Sequence, residues 1–387
     1  MNSEHRGLTE RSTLTEWEWV GLQQVWNLAD GHSHFRLSFD EDSPVAHMPL
    51  LFQSIDPRAQ EHYERRFLSE LFAASRQTLP ALTPHLHYSC STTIDMASKT
   101  LRASGISTVG VLTPTFDNIA QLAQRAGLRL VPIPEPELCP TDDQRPVWWD
   151  SCDALFLVLP NNPTGWEPSR DQMEKLLTLM AEHRKAVVID FSFRFYSKLH
   201  SWDQYAFVAS LPTLDWIFVE DTGKTWPLSE MKIGVASSSA RFHDTMAEVT
   251  GELLLNVSPF VLELLARTIR ADRCNGASSA EVLTARRLVS ENRSRLRACI
   301  GGLGIDLPCP SSEISVEWLR FNDRSAVDAA SQLLASGVAV LPGAPFFWQD
   351  RGLGANYFRV ALARDGDYFA HAINALVQCI RGPGARC

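Results

Sequence analysis

The sequence predicts an α/β protein: a large domain on a doubly wound, mostly parallel sheet, a smaller α+β domain after it, and a helical arm in front. Three observations carry this expectation. Short apolar runs alternate with amphipathic helical segments between about residues 107 and 220. Near residue 272 the texture changes, and a long charged helical stretch leads into new apolar runs. The first forty residues hold a tryptophan-rich segment that belongs to neither pattern. The arm is therefore expected at 1–40, the large domain at 41–271 and the small domain at 272–387.

Residues 13–31 read as one helix, opened by Ser12 or Thr13, which are residue types that cap helix starts. A second helix is predicted over 57–79. "STVGVL" (107–112) reads as a strand, 117–127 as a helix and "LRLVPI" (128–133) as a strand. "DALFLVLP" (153–160) follows as a strand, 169–184 as a helix, and "AVVID" (186–190) and "WIFVE" (216–220) as buried strands. In the small domain a charged helix at about 280–298 precedes "EISVEWLRF", a helix, "VAVLP", "YFRVALA" and a final helix.

Composition excludes several classes of function. With 387 residues, 45% hydrophobic and 21% charged, the chain suits a soluble globular protein of two domains. A net charge of −9 without a basic stripe argues against nucleic acid or an anionic membrane as partner. The eight cysteines never form a C-x-x-C pair, so neither zinc nor a disulfide framework is expected, and a reducing cytoplasm is. No apolar h-region opens the sequence and no apolar run approaches a membrane span, so no signal peptide is expected.

Ligands of such sheets bind beyond the carboxyl ends of the strands. Three strand ends carry polar groups: "LPNNPTG" (159–165), "IDFSFR" (189–194) and "EDTGK" (220–224). Lys224, an amine at the end of an apolar run, could be a nucleophile toward a carbonyl. A lone turn lysine is more often simply solvated. Asp190 ends a run too apolar to hold a charge without a partner, and a protonated heterocyclic nitrogen would be one. Asn162 could donate to a phenolate oxygen, and Phe116 could stack on a flat ring. A plain turn and a core phenylalanine explain these two equally well when each is taken alone. Ser89, Ser91, Thr92 and Thr93 precede a helical segment, where free amides and hydroxyls bind anions, and Lys232 adds a positive charge. Ordinary capping is the plainer account of the hydroxyl cluster.

In this order on these strand ends, the residues describe one ligand, a phosphorylated pyridine aldehyde. The chain resembles the fold-type-I pyridoxal phosphate enzymes, the aspartate aminotransferase superfamily, through "PTF", "NNPTG", Asp190 three before Phe193, "GK-T", "LPGAPF" (341–346) and "YFRVA" (357–361). The resemblance implies that Lys224 carries the cofactor, Asp190 faces its ring nitrogen and Asn162 its ring oxygen. It also implies that Phe116 stacks, that Ser91, Thr92 and Lys232 hold phosphate, and that Arg359, with Asn162, takes the substrate α-carboxylate. Three positions depart from the family pattern. Phe193 stands where tyrosine is usual, Lys232 where arginine is usual, and Asp221 where serine is usual.

"LTEWEWVGLQQVWNLADGHSH" (14–34), "TPTFDNIA", "EDTGK-WP" and "NVSP" are similar to the pyridoxal phosphate-dependent L-arginine oxidases and hydroxylases of non-proteinogenic amino-acid pathways, such as that to enduracididine. That resemblance implies a homodimer whose arm orders over the active site with substrate. It also implies dioxygen-dependent oxidation of L-arginine to 4-hydroxy-2-oxo-arginine and/or 2-oxo-arginine. Thr15 and Glu18 share a helix face and Asp30 follows, a set suited to a guanidinium's fork of donors, although a solvated helix face would also place carboxylates there. His32 becomes a catalytic candidate, with Asp221, and Ser192 could help hold oxygen species. The alternative is an ordinary aminotransferase acting on a basic amino acid. A catalytically silent binding protein is a third reading, and no basic or winged-helix segment favours it.

Overall fold

The structure is a computed structural model that describes residues 12–36, 43–140, 145–275 and 284–381. Residues 1–11 and 37–40 of the predicted arm and 280–283 of the predicted charged helix lie outside the described residues.

The arm opens with α1 (Leu14–Gly21), started by a reciprocal capping box between Thr13 and Glu16. This helix stops ten residues short of the predicted end at 31. The chain doubles back after Gly21, where a Cβ would stand 2.9 Å from that of Ala29, and β1 (Trp26–Asn27) forms instead of further helix. Then come α2 (Met48–Ser54) and α3 (Gln60–Ser75). The predicted 57–79 helix is shorter at both ends: a single 3-10 turn covers Pro57–Ala59, and Arg76, in the left-handed region at φ 56°, closes α3.

The large domain continues with β2 (His85–His87), α4 (Cys90–Ala103), β3 (Thr108–Thr113), α5 (Asp117–Arg125), β4 (Arg129–Pro134), β5 (Ala154–Val158) and α6 (Arg170–Glu182). Next are β6 (Ala186–Asp190), α7 (Gln204–Ala209), β7 (Asp215–Asp221), β8 (Gly234–Ser238), α8 (Ala240–Gly251) and α9 (Pro259–Asn275). One seven-stranded sheet runs β2-β8-β7-β6-β5-β3-β4. Its middle and one edge, β7 through β4, are parallel, as the alternation of runs and helices predicts. β8 and β2 add on antiparallel. Every residue of β5 and β6 is buried, as expected of parallel strands covered by helices on both faces.

The small domain holds α10 (Thr284–Ile300), β9 (Ile305–Asp306), β10 (Val316–Phe321), α11 (Ala326–Ala335), β11 (Val338–Ala339), β12 (Leu341–Pro342), β13 (Tyr357–Ala361) and α12 (Gly366–Arg381). Its antiparallel sheet runs β12-β13-β10-β9. The "VAVLP" run is divided: β11 pairs in parallel with β1 of the arm, while β12 pairs with β13. The arm is thus part of the small domain's core, where Leu14, Trp17, Leu28 and Phe35 are buried with Val338, Leu341 and Phe358. Among the described residues no helix is long and apolar enough to cross a membrane.

A buried ion pair ties the turn after β6 to β7 itself. Arg194 donates to Glu220 through Nε at 2.8 and 2.9 Å and through Nη2 at 2.6 Å, and Gln204 accepts from Nη1. Arg194→Leu would leave Glu220 buried without its cation. We expect a loss of about 3–5 kcal/mol in urea unfolding, most of it recovered in Arg194→Leu/Glu220→Leu.

Candidate active site

Three strand ends converge, as the sheet model predicts. Asn162 follows β5, Asp190 ends β6, and Asp221 ends β7 three residues before Lys224. The lysine loop needs a glycine: a Cβ on Gly223 would stand 2.9 Å from the His32 ring and 3.0 Å from the Lys232 side chain.

The arm reaches this loop directly. Lys224 Nζ lies 3.3 Å from His32 Nε2. His32 Nδ1 is 2.6 Å from Asp30 Oδ1, and Asp30 Oδ2 is 2.5 Å from His34 Nε2. Burial alone would raise the Asp30 carboxyl. Hydrogen bonds from His32 and His34, with the charges of His32 and Lys224, outweigh it and hold that carboxyl well below the usual range. Ser33 closes the junction, its N–H donating to Gly223 O at 3.1 Å and its hydroxyl to Lys224 O at 2.8 Å. Tyr196 donates to the same Lys224 carbonyl at 3.1 Å.

Asp190 is buried, and its Oδ1 accepts from the Ser192 amide at 2.8 Å and the Ser192 hydroxyl at 2.6 Å. The Cys90 thiol approaches both carboxylate oxygens, at 3.7 and 3.8 Å. Burial pushes the Asp190 carboxyl up to about 6; the Ser192 hydrogen bonds oppose this, Asp221 adds to it, and Lys224 opposes it. Asp221 is also buried. Its Oδ1 accepts from Gly223 N at 3.1 Å, and its Oδ2 is buried with no hydrogen-bond partner.

At the start of α4, Ser89 caps Thr92 N at 3.1 Å, Thr92 and Ser89 share a hydroxyl contact at 2.9 Å, and Ser91 accepts from Asn118 at 3.1 Å. The Lys232 amine donates to Ser229 O at 2.9 Å. Asn162 Oδ1 accepts from Arg359 Nη1 at 3.1 Å, and the Arg359 guanidinium stands 5.8 Å from the centre of the Phe116 ring.

Glu18 and Arg359 meet each other, a pairing the sequence reading did not anticipate. Arg359, 1% exposed, donates through Nη2 to Glu18 Oε1 at 3.0 Å and to Ala29 O at 2.5 Å. Thr15 lies exposed on α1, while Glu18 on the same helix is partly buried. Two further residues escaped the sequence reading. His34 is the second histidine of "GHSH". Arg364, 1% exposed, donates to Asn27 O at 2.9 Å, His32 O at 2.9 Å and Asp30 O at 2.6 Å.

Residues 85–376 match the family model described as aminotransferase class I and II. An aspartate/prephenate aminotransferase of Thermus thermophilus is 27% identical over 243 residues, 61% of each chain. A probable aspartate/prephenate aminotransferase of Thermus aquaticus is 26% identical over 242 residues. The match thus spans 61% of these curated relatives' length. Among solved structures, that of MppP soaked with the product 2-ketoarginine superposes with a TM-score of 0.83 at 27% identity, covering 91% of this chain and 99% of that one. The aspartate aminotransferase of Thermus thermophilus with maleate gives a TM-score of 0.69 at 19% identity, over 97% of this chain and 100% of that one, a likeness of fold.

The Asp190 environment has a measurable sign. An acid raised from its ordinary value near 4 to about 6 by folding contributes stability that is present below the lower value and lost as pH rises through the upper one. In the cofactor-free protein, Asp190→Asn removes that loss. We expect the variant to be more stable than the parent at pH 7 by about 2–3 kcal/mol and no more stable at pH 4, read by urea unfolding at both pH values.

Proposed function

The chain belongs to the class I and II aminotransferase family and uses pyridoxal phosphate, and from that premise we propose that it oxidises L-arginine with dioxygen. The products would be 4-hydroxy-2-oxo-arginine and/or 2-oxo-arginine, or an unsaturated analogue, with ammonia and hydrogen peroxide. The enzyme would work as a homodimer in the cytoplasm, in the making of a non-proteinogenic amino acid.

The residues fit the cofactor by their own chemistry. Asp190 is a buried carboxylate with only hydroxyl, amide and thiol neighbours, and Asp221 has a buried oxygen without a partner. Both call for a cation, which a protonated pyridine nitrogen supplies. Lys224 would carry the cofactor, Asn162 would face its ring oxygen, Phe116 would flank the ring, and Ser91, Thr92 and Lys232 would take the phosphate. When bound, pyridoxal phosphate supplies an electron sink for charge released at the substrate α-carbon.

The observation that carries the reading is the 3.3 Å approach of an arm histidine to the amine of Lys224. Lys224 takes the α-proton in this proposal, and His32 Nε2 accepts it or hands it back. Asp30 can only accept from His32 Nδ1, so it fixes the tautomer that leaves a lone pair on Nε2. Arg359 would grip the α-carboxylate in the place Glu18 now occupies, and the displaced Glu18, with Asp30 and Thr15, would face the substrate guanidinium. α1 and the 27–34 segment cover the site and exclude water while charge is developing. Ser192, bonded to Asp190, would stand beside the reacting oxygen species. The solved structure that holds 2-ketoarginine as product supports the choice of substrate. A second reading, transamination of a basic amino acid, is favoured by the curated relatives, which are aminotransferases.

Incubation with L-arginine in air, without a 2-oxo acid, should consume dissolved oxygen and release 2-oxo-arginine species identifiable by mass. No oxygen uptake, with turnover only when a 2-oxo acid is added, would establish the transaminase instead. Glu18→Gln should raise KM for L-arginine about tenfold, as loss of a charged hydrogen bond does, and should bind the uncharged L-norvaline no worse than the parent.

A further inference from the structure

We propose that His34 is a positioning residue for the proton chemistry at Lys224, acting through Asp30 and His32. This rests on the reading of Lys224 and His32 given above. One carboxylate holds two imidazoles, one on each oxygen: His32 at 2.6 Å and His34 at 2.5 Å. The inner ring touches the lysine amine, and the outer one is 30% exposed and reaches solvent. Asp30 itself is 4% exposed and cannot turn freely, because its own carbonyl is held by Arg364.

The geometry gives His34 two effects. It occupies Oδ2, so Oδ1 is left aimed at His32 and the tautomer of His32 is fixed. It also sets how much of the carboxylate's charge His32 feels. A charged His34 draws that charge toward itself, and a neutral one leaves it on His32. The other charged groups near His34 are Arg364, whose residue bridges it along the backbone, and the Arg36–Asp365 pair; the Lys224 charge acts on Asp30 from the far side.

The test uses the full-length holoenzyme. The first readout is loss of deuterium from L-[2-²H]arginine to solvent as a function of pH. The second is the imidazole NMR spectrum of the resting holoenzyme without substrate. His34→Leu should slow deuterium loss about tenfold at pH 7, and His34→Gln, which still donates to Oδ2, should restore it to within about threefold. In His34→Leu the NMR signal of the His32 Nδ1 proton should move, and His34→Gln should return it toward the parent position. Deuterium loss in His34→Leu within twofold of the parent, with the His32 signal unmoved, would overturn the proposal. His32→Asn separates this failure from that of the wider reading. If it slows deuterium loss while the His34 variants do not, only the role of His34 falls. If it leaves deuterium loss unchanged, the role of His32 at Lys224 falls as well.

Discussion

One buried guanidinium holds the site together. Arg364 gives its donors to the carbonyls of Asn27, Asp30, His32 and Ala363. Backbone carbonyls of an irregular segment are costly to bury without partners. A single side chain meets three of them within six residues, which lets 27–32 fold as a tight, dry turn. That turn puts the Asp30 carboxylate and the His32 ring beside Lys224. Arg364 follows β13 of the small domain, whereas Lys224 follows β7 of the large one. The arm is therefore the joint between them, fastened on one side by Arg364 and on the other by the two Ser33 hydrogen bonds to Gly223 and Lys224.

Charge follows from that joint. Asp30, Asp190 and Asp221 all act on or beside Lys224, and Glu18 faces Arg359. Asp221 raises Asp190 electrostatically, and it keeps one oxygen without a partner. A serine there, as in the ordinary aminotransferase pattern, would do neither. Two buried carboxylates this close would favour a protonated ring nitrogen in a bound cofactor.

Much of this was legible in the sequence. "AVVID" and "WIFVE" are apolar runs that end in acids, and both are central strands; the first delivers Asp190 to the site, and the second leads into Asp221 there while its own Glu220 pairs with Arg194. β8, "GVASS", escaped notice because its residues are small and polar although all are buried. The arm helix ends earlier than the sequence suggests: no Gly or Pro breaks the pattern before Gly31 other than Gly21, inside a run of helix-compatible residues. Only tertiary pairing of β1 with β11 reveals that the chain turns after Gly21. Arg364 and His34 gave no local signal. An arginine that binds backbone carbonyls 332 to 337 residues away has no spacing rule, and the second histidine of "GHSH" gains a role only because Asp30 has two oxygens facing different ways. The pairing of Glu18 with Arg359 was missed for a related reason: each was assigned to the substrate, and neither to the other.

That pairing carries an argument about selectivity. Replacing Glu18 on Arg359 by a substrate carboxylate exchanges one anion for another, so the guanidinium loses little. Glu18, with its side chain 14% exposed, is then left without its cation under the arm. A substrate whose side chain ends in a guanidinium supplies the missing charge. An amino acid with a neutral side chain would supply nothing, and a partly buried carboxylate stripped of a charged hydrogen-bond partner costs about 1–3 kcal/mol. If the proposed substrate is the true one, that penalty would fall on amino acids with neutral side chains and spare it, which is how a site excludes competitors that share the same α-amino and carboxylate groups. On this account the arm closes fully only over a molecule that is anionic at one end and cationic at the other.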